Sequence, residues 1–239
     1  MKSTLHCLLL ALTVCHSQAQ INVTNFFNGE ISFAGQTNAT ILTTNISQTP
    51  FNFTLEGQLE KWTGVASSSA ADRFMASQWS TSSLDANKYF ELSLTVEPTG
   101  VPFAYFDSME VDFALRRSSS GPRQFQWRSS LDGFATAITN FTLVNPSIML
   151  SSGVLTLPDT LSTETFAGNR FALTGPSLLN ATNVTLRLYG YQAESSLGQG
   201  GLDTPLAFSG EVVVPEPSTY ALLTLAAAAG AWIQLRRRR

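Results

Sequence analysis

Cysteine and histidine are nearly missing from this chain. Each occurs twice in 239 residues, and all four copies, His6, Cys7, Cys15 and His16, fall in the first sixteen positions. That stretch reads as a removable leader. The chain left after its removal would hold neither residue type. This excludes disulfides, thiolate nucleophiles, serine–histidine–aspartate triads and histidine-based zinc or iron centres together. Charge is scarce as well: 13% of residues are Asp, Glu, Lys or Arg, about half of the usual share. Ser, Thr, Asn and Gly fill the gap, which suits an exported β protein and argues against a charged helical bundle. The formal net charge of -3 conceals a polarity. Five of the 14 basic residues, Lys2 and the four arginines at 236–239, sit in the end segments, leaving nine against 17 acidic residues. An acidic body disfavours nucleic acid as a partner.

The two ends carry processing signals. Lys2 supplies a positive start, residues 5–14 form a short apolar run, and Ser17-Gln18-Ala19 is a small-x-small site, so cleavage is expected between Ala19 and Gln20. The run is too short to span a bilayer. Such a leader implies the Sec translocon and signal peptidase as partners. At the far end Val214-Pro215-Glu216-Pro217-Ser218 precedes an uncharged stretch, 219–235, and then Arg236, Arg237, Arg238 and Arg239. The stretch is at the lower limit for a single transmembrane helix, and the arginines would hold its end in the cytoplasm. Two prolines deny the preceding segment regular hydrogen bonding, leaving an extended peptide that a membrane-embedded enzyme can grip. The expected layout is a signal peptide over 1–19, an exported domain over 20–213 and a tail over 214–239.

The order of Pro215-Glu216-Pro217, an apolar run and an arginine cluster resembles the PEP-CTERM sorting signal of Gram-negative bacteria. The resemblance implies recognition of Pro215, Glu216 and Pro217 by an exosortase and delivery to extracellular polysaccharide or biofilm matrix. It specifies a route and no activity. The body has a second likeness. Residues 113–122, 127–134 and 187–191 are similar to a recurrent exported domain found with this tail, whose strands resemble carbohydrate-binding jelly rolls. Members often end in an Arg-Leu-Asp-Asn-Val-type strand. Here the matching place reads Gly201-Leu202-Asp203-Thr204-Pro205, which retains the Asp alone.

Between the ends the pattern is that of half-buried antiparallel strands, one face apolar and the other mostly polar. Phe90, Leu92, Leu94 and Val96 alternate with Glu91, Ser93, Thr95 and Glu97. Met109, Val111, Phe113 and Leu115 alternate with Glu110, Asp112, Ala114 and Arg116. Shorter alternations cover 124–128 and 184–189, and a final strand is expected near 206–214. Residues 20–55 are weakly patterned, with short strands at 31–33 and 51–55. Ser118-Ser119-Ser120-Gly121-Pro122 reads as a hairpin loop, and Asp132-Gly133 as a turn. Nine to eleven strands fit an all-β, antiparallel β-sandwich of jelly-roll type. No short repeat supports a β-helix.

Few side chains stand out as binding groups. Arg116 and Arg117, with Arg123 and Arg128 on the next strand, would gather near one sheet end if the strands pair through that loop, and guanidinium forks suit carboxylates on an acidic polysaccharide. The favoured alternative pairs them with Glu110, Asp112 and Asp132. Trp62 and Trp79 lie outside the clear alternation and are candidates to stack on sugar rings, whereas Trp127 falls with Phe125 on an apolar face. Tyr189 and Tyr191 share the face opposite Leu188 as a candidate exposed aromatic pair. No catalytic residue or cofactor is expected. A structural calcium ion would draw on Asp72, Asp107, Asp112, Asp132 or Asp203, but no dense Asp-x-Asp-x-Asp run exists. Seven Asn-x-Ser/Thr sequons start at Asn22, Asn38, Asn45, Asn52, Asn140, Asn180 and Asn183, and the abundance of Asn and Thr accounts for much of this. The function expected is a non-enzymatic surface or matrix protein that binds polysaccharide. The rivals are a carboxylate-dependent glycoside-acting enzyme and a simple membrane-anchored structural protein.

Overall fold

The computed structural model describes residues 22–31, 41–48, 53–61, 64–67, 73–98, 104–175, 178 and 180–215. The cleavage site at Ala19 and Gln20, Trp62, Asp72, Glu216, Pro217 and the apolar stretch 219–235 lie outside them. Among the described residues, no helix is long and apolar enough to cross a membrane. The chain divides into two compact units, Thr24–Val213 and a second made of Met1–Val23 with Val214–Arg239. The first carries nearly all that is described.

Strands form where one-sided apolar runs can be buried. In chain order they are β1 (Asn22–Ile31), β2 (Ile41–Gln48), β3 (Phe53–Lys61), β4 (Ala66–Ser67), β5 (Arg73–Ser77), β6 (Tyr89–Pro98) and β7 (Tyr105–Arg117). Then follow β8 (Pro122–Ser129), β9 (Phe141–Leu143), β10 (Met149–Ser151), β11 (Val154–Thr156), β12 (Glu164–Thr174), β13 (Asn183–Ala193) and β14 (Gly200–Pro215). The expected alternations are present: Phe90, Leu92, Leu94 and Val96 on β6 and Met109, Val111, Phe113 and Leu115 on β7 are all buried. The expected count of nine to eleven strands was too low. Short strands such as β9, β10 and β11 hold three residues each, and a run so short shows no period. Asp132-Gly133 does turn the chain. It closes a single 3-10 turn, Ser130–Asp132, with Gly133 in the left-handed region at φ 68°, where a side chain is disfavoured.

The strands form two antiparallel sheets. One runs β4-β5-β14-β7-β12-β9, with β1 also on β14; the other runs β10-β11-β8-β13-β6-β3-β2. From β5 to β8 successive strands alternate between the sheets, as do β12, β13 and β14. This corrects the hairpin expected at 118–122: β7 and β8 belong to different sheets. The same turn residues carry the chain across the core instead of back along a neighbour. The apolar faces meet through aromatic edges. Phe74 of β5 meets Phe90 of β6 at 5.1 Å, and Trp79 lies 5.1 Å from Phe90 and 6.5 Å from Phe125. A second cluster joins Phe113, Trp127, Phe141 and Phe171. Gly190 on β13 leaves room for the indole of Trp79, because a Cβ there would stand 3.0 Å from two of its ring carbons.

Candidate functional site

Arg117 organises one end of the sandwich. It follows Met109, Val111, Phe113 and Leu115 on the same face of β7, so the strand period turns its side chain toward the space between the sheets. The residue is fully buried. Its guanidinium donates to the carbonyls of Pro158 (2.7 Å), Ser119 (2.8 Å) and Gly121 (3.3 Å), and to the Glu194 carboxylate (2.9 Å). Asp159 stands 3.8 Å away. One side chain thereby ties together the loop after β7, the loop after β11 and the loop after β13. The loops also bind one another: the Ser118 amide donates to the Gln199 carbonyl, and the Glu194 and Ser195 amides both donate to Ser120.

Over this end lies an open pocket of about 490 Å³, lined by Ser119, Ser120, Asp159, Thr160, Leu161 and Glu194. Its lining is rich in hydroxyls and carboxylates. Leu161 is fully exposed and adds an apolar surface. The Thr160 hydroxyl is buried and finds no partner within the protein. Hydroxyl and carboxylate oxygens accept hydrogen bonds from a polyhydroxylated ligand, and an aliphatic side chain can cover a sugar's C–H face.

The remaining candidates have other partners. Arg116 points to the outer face of the first sheet and donates to Asp203 (2.9 Å). Thr165 also donates to Asp203. The expected acids were wrong for both arginines: Glu110 and Asp112 pair with Arg170, and the Asp132 carboxylate accepts from the Ala135 and Thr136 amides. Nor do the four arginines gather, since Arg128 lies on the other sheet, bonded to Gln126 and the Phe134 carbonyl. Trp79 is 1% exposed, and its indole N–H donates to the Ala76 and Gly200 carbonyls. It is a core residue and offers no face to a sugar. Tyr189 and Tyr191 are 3% and 8% exposed, so they form no exposed pair. Tyr189 packs on Tyr89 at 5.5 Å, and Arg187 lies over both Tyr89 and Phe134. Among the described residues, no group of three His, Cys, Asp or Glu side chains is placed to hold a metal ion.

Comparison with known proteins bears on the C-terminal segment. Residues 213–239 match the family model described as the PEP-CTERM protein-sorting motif. The chain carries a PEP-CTERM protein-sorting motif. Pro215, Glu216 and Pro217 stand inside the matched segment, and the motif marks the chain as an exported protein processed by an exosortase-type system. No curated protein sequence matches the chain. Solved structures give distant likenesses to this chain. The K1 cleaved adhesin domain of Lys-gingipain from Porphyromonas gingivalis W83 is 11% identical, with 80% of this chain and 97% of that one covered and a TM-score of 0.25. The module CBM27-1 of Caldicellulosiruptor saccharolyticus, in complex with mannohexaose, is 10% identical over 80% and 98%, at 0.33. A cyclase from Fischerella sp. TAU is 10% identical over 77% and 98%, at 0.31.

Sequence reasoning overlooked Asp159, Glu194 and Lys61 in this PEP-CTERM protein. The first two lie in loops with no pattern, and only the fold brings them to Arg117. Lys61 follows Leu59 on the buried face of β3 and is 6% exposed, its ammonium nitrogen 4.2 Å from the centre of the Phe74 ring. Burial lowers its pKa to about 7. The signal was present in the sequence: Leu55, Leu59 and Lys61 share one parity.

Proposed function

We propose that this protein is an exported, non-enzymatic component of the cell surface or extracellular polysaccharide matrix, and that it binds carbohydrate through the pocket above Arg117. The observation that carries the reading is the sorting motif over residues 213–239. The order β5-β14-β7-β12 against β6-β13-β8-β11 is read as a jelly roll. The pocket supports binding because its floor is stapled by Arg117 while its rim presents Ser119, Ser120, Asp159 and Glu194. A rigid floor with few polar groups is what an oriented ligand needs. The tail serves first as an address and anchor, and its removal releases the domain to its final location.

The test is binding of the exported protein to a panel of polysaccharides, with Asp159→Asn and Glu194→Gln variants. Weakening by about tenfold in either variant, with no reducing sugar released, fits the proposal. Asp159 and Glu194 line one pocket, and this favours a glycoside-acting enzyme as the second reading. Sugar release abolished by one of these substitutions would establish that reading instead. Mass spectrometry of the mature C-terminus addresses the membrane-anchored alternative: an intact Arg239 on protein outside the cytoplasmic membrane contradicts sorting.

A further inference from the structure

Asp159 and Glu194 enter the pocket from different loops and share one partner. They lie against the two terminal nitrogens of Arg117, Asp159 at 3.8 Å from Nη1 and Glu194 at 2.9 Å from Nη2. Each commits one oxygen to the protein. Oε1 of Glu194 accepts from Arg117, and Oδ1 of Asp159 accepts from the Thr160 amide at 3.1 Å. Among the described residues, no hydrogen bond reaches the second oxygen of either carboxylate. The two side chains are 69% and 43% exposed, so those oxygens meet solvent. Arg117 does not. Its terminal nitrogens donate to Pro158, Ser119, Gly121 and Glu194, and its unpartnered Nε is buried as well. It offsets one of the two negative charges and presents no donor to the pocket. No Lys, Arg or His lines that pocket, and Arg123 on β8 is not part of the lining. Glu164, paired across strands with Arg117, adds a further exposed carboxylate to this end.

We infer that the ligand of this pocket is an amino-sugar polysaccharide with free, protonated amino groups, and that acidic polysaccharides are excluded. The inference deepens the carbohydrate reading and rests on it. An ammonium group brings three N–H donors and no acceptor. The free oxygens of Asp159 and Glu194, with a serine hydroxyl, supply acceptors of the matching kind, and hydrogen bonds between ionised groups are the strong ones. The rest of the lining suits a sugar ring. Ser119 and Ser120 bring hydroxyls, Leu161 brings an exposed aliphatic surface, and the Thr160 hydroxyl, on a residue 7% exposed, has no partner in the protein. A uronate or sulfate would meet two carboxylates and no free cation, and at a protein surface like charges repel more than they do in water. This reverses the ligand that guanidinium forks suggest: the fork of Arg117 is used up inside the sandwich, and Arg116 holds Asp203 on the outer face. A lysine-rich peptide carries the same ammonium group but no ring hydroxyls for the serines to bind.

The experiment is calorimetric titration of the exported protein with five tetramers, at a pH that keeps the amines charged. They are a glucosamine tetramer, its N-acetylated form, a neutral glucose tetramer, a galacturonate tetramer and tetralysine. An acidic protein attracts any polycation, so two double variants remove equal charge from different places. One is Asp159→Asn with Glu194→Gln, in the pocket. The other is Glu56→Gln with Glu97→Gln, both exposed on β3 and β6. The glucosamine tetramer should bind tighter than each of the other four by about tenfold or more, the size of one charge-assisted hydrogen bond. The pocket variant should lose that preference, and the β3–β6 variant should keep it. Equal binding of the amino and N-acetylated tetramers, preference for galacturonate, or tetralysine binding as tightly as glucosamine overturns the inference. So does a preference that survives in the pocket variant or vanishes in the other. In those cases the carbohydrate reading still stands if a neutral sugar binds the natural protein and the pocket variant weakens it. Failure of every saccharide to bind overturns both.

Discussion

Replacing Arg117 with Met keeps most of the aliphatic stem and removes the guanidinium. Three carbonyls lose a charged donor, two of them at 2.7 and 2.8 Å and one at 3.3 Å. A hydrogen bond to a charged group contributes about 1.5–3 kcal/mol net. Relief from burying a cation offsets part of that sum, because desolvating a charge is itself expensive. The Glu194 side chain is 43% exposed, so water solvates it once its partner has gone. The expected loss is about 3 kcal/mol, which is roughly 6–12 °C in thermal midpoint for a domain of this size. Glu194→Gln should cost less than about 1 kcal/mol, since the amide oxygen of glutamine can still accept from the buried guanidinium and the three carbonyls still hold it. Urea unfolding of the exported protein, run on both variants at one pH, measures the ratio. Equal losses would refute the claim that carbonyls dominate. A loss below about 1 kcal/mol for Arg117→Met would refute the staple itself.

Three further outcomes are expected. Gly190→Ala places a Cβ 3.0 Å from the Trp79 ring and 3.3 Å from Phe125; overpacking of this kind should cost about 1–3 kcal/mol in thermal unfolding, and it should leave polysaccharide binding unchanged because Trp79 is core. Lys61 has a folded pKa of about 7 against an ordinary 10.5, so the unfolded chain binds more protons between those values. Stability should therefore rise with pH across that window, by about 1 kcal/mol per unit, and fall as pH drops toward 7. Urea midpoints at pH 7 and 9.5 should separate in the natural protein and coincide in Lys61→Met. The upper limit keeps clear of Tyr89 and Tyr191, whose phenols burial pushes up. Arg170 makes its pairs with Glu110 and Asp112 at the surface, all three side chains being 40–46% exposed, so Arg170→Ala should change stability by less than about 1 kcal/mol.

The strand faces were legible because each long strand buries one side of itself, and alternation is a local property of the chain. Phe90 to Val96 and Met109 to Leu115 behave as the pattern says. Alternation failed at Tyr189 and Tyr191, where the outer face is itself covered, so parity no longer separates inside from outside. The turn at 118–122 was recognised and its destination was not. Ser, Gly and Pro reverse a chain whether it returns to a neighbour or crosses to the facing sheet. Arg116 and Arg117 show the limit most sharply. They are adjacent in sequence, yet one sits on the outer face with Asp203, 87 residues away, and the other in the interior with Glu194, 77 residues away. No local rule chooses between Asp112 and Asp203 as a partner.

The sequence by itself determined the export address and the chemistry that the body lacks. A sorting motif is read by its partner as a linear peptide, and a missing residue type is missing in any fold. Tertiary structure decided which carboxylates meet which arginines and which aromatics are enclosed. Those depend on register between distant strands, and the register of β14 against β7, which sets Gly201 opposite Arg116, is what brings Asp203 to the Arg116 guanidinium.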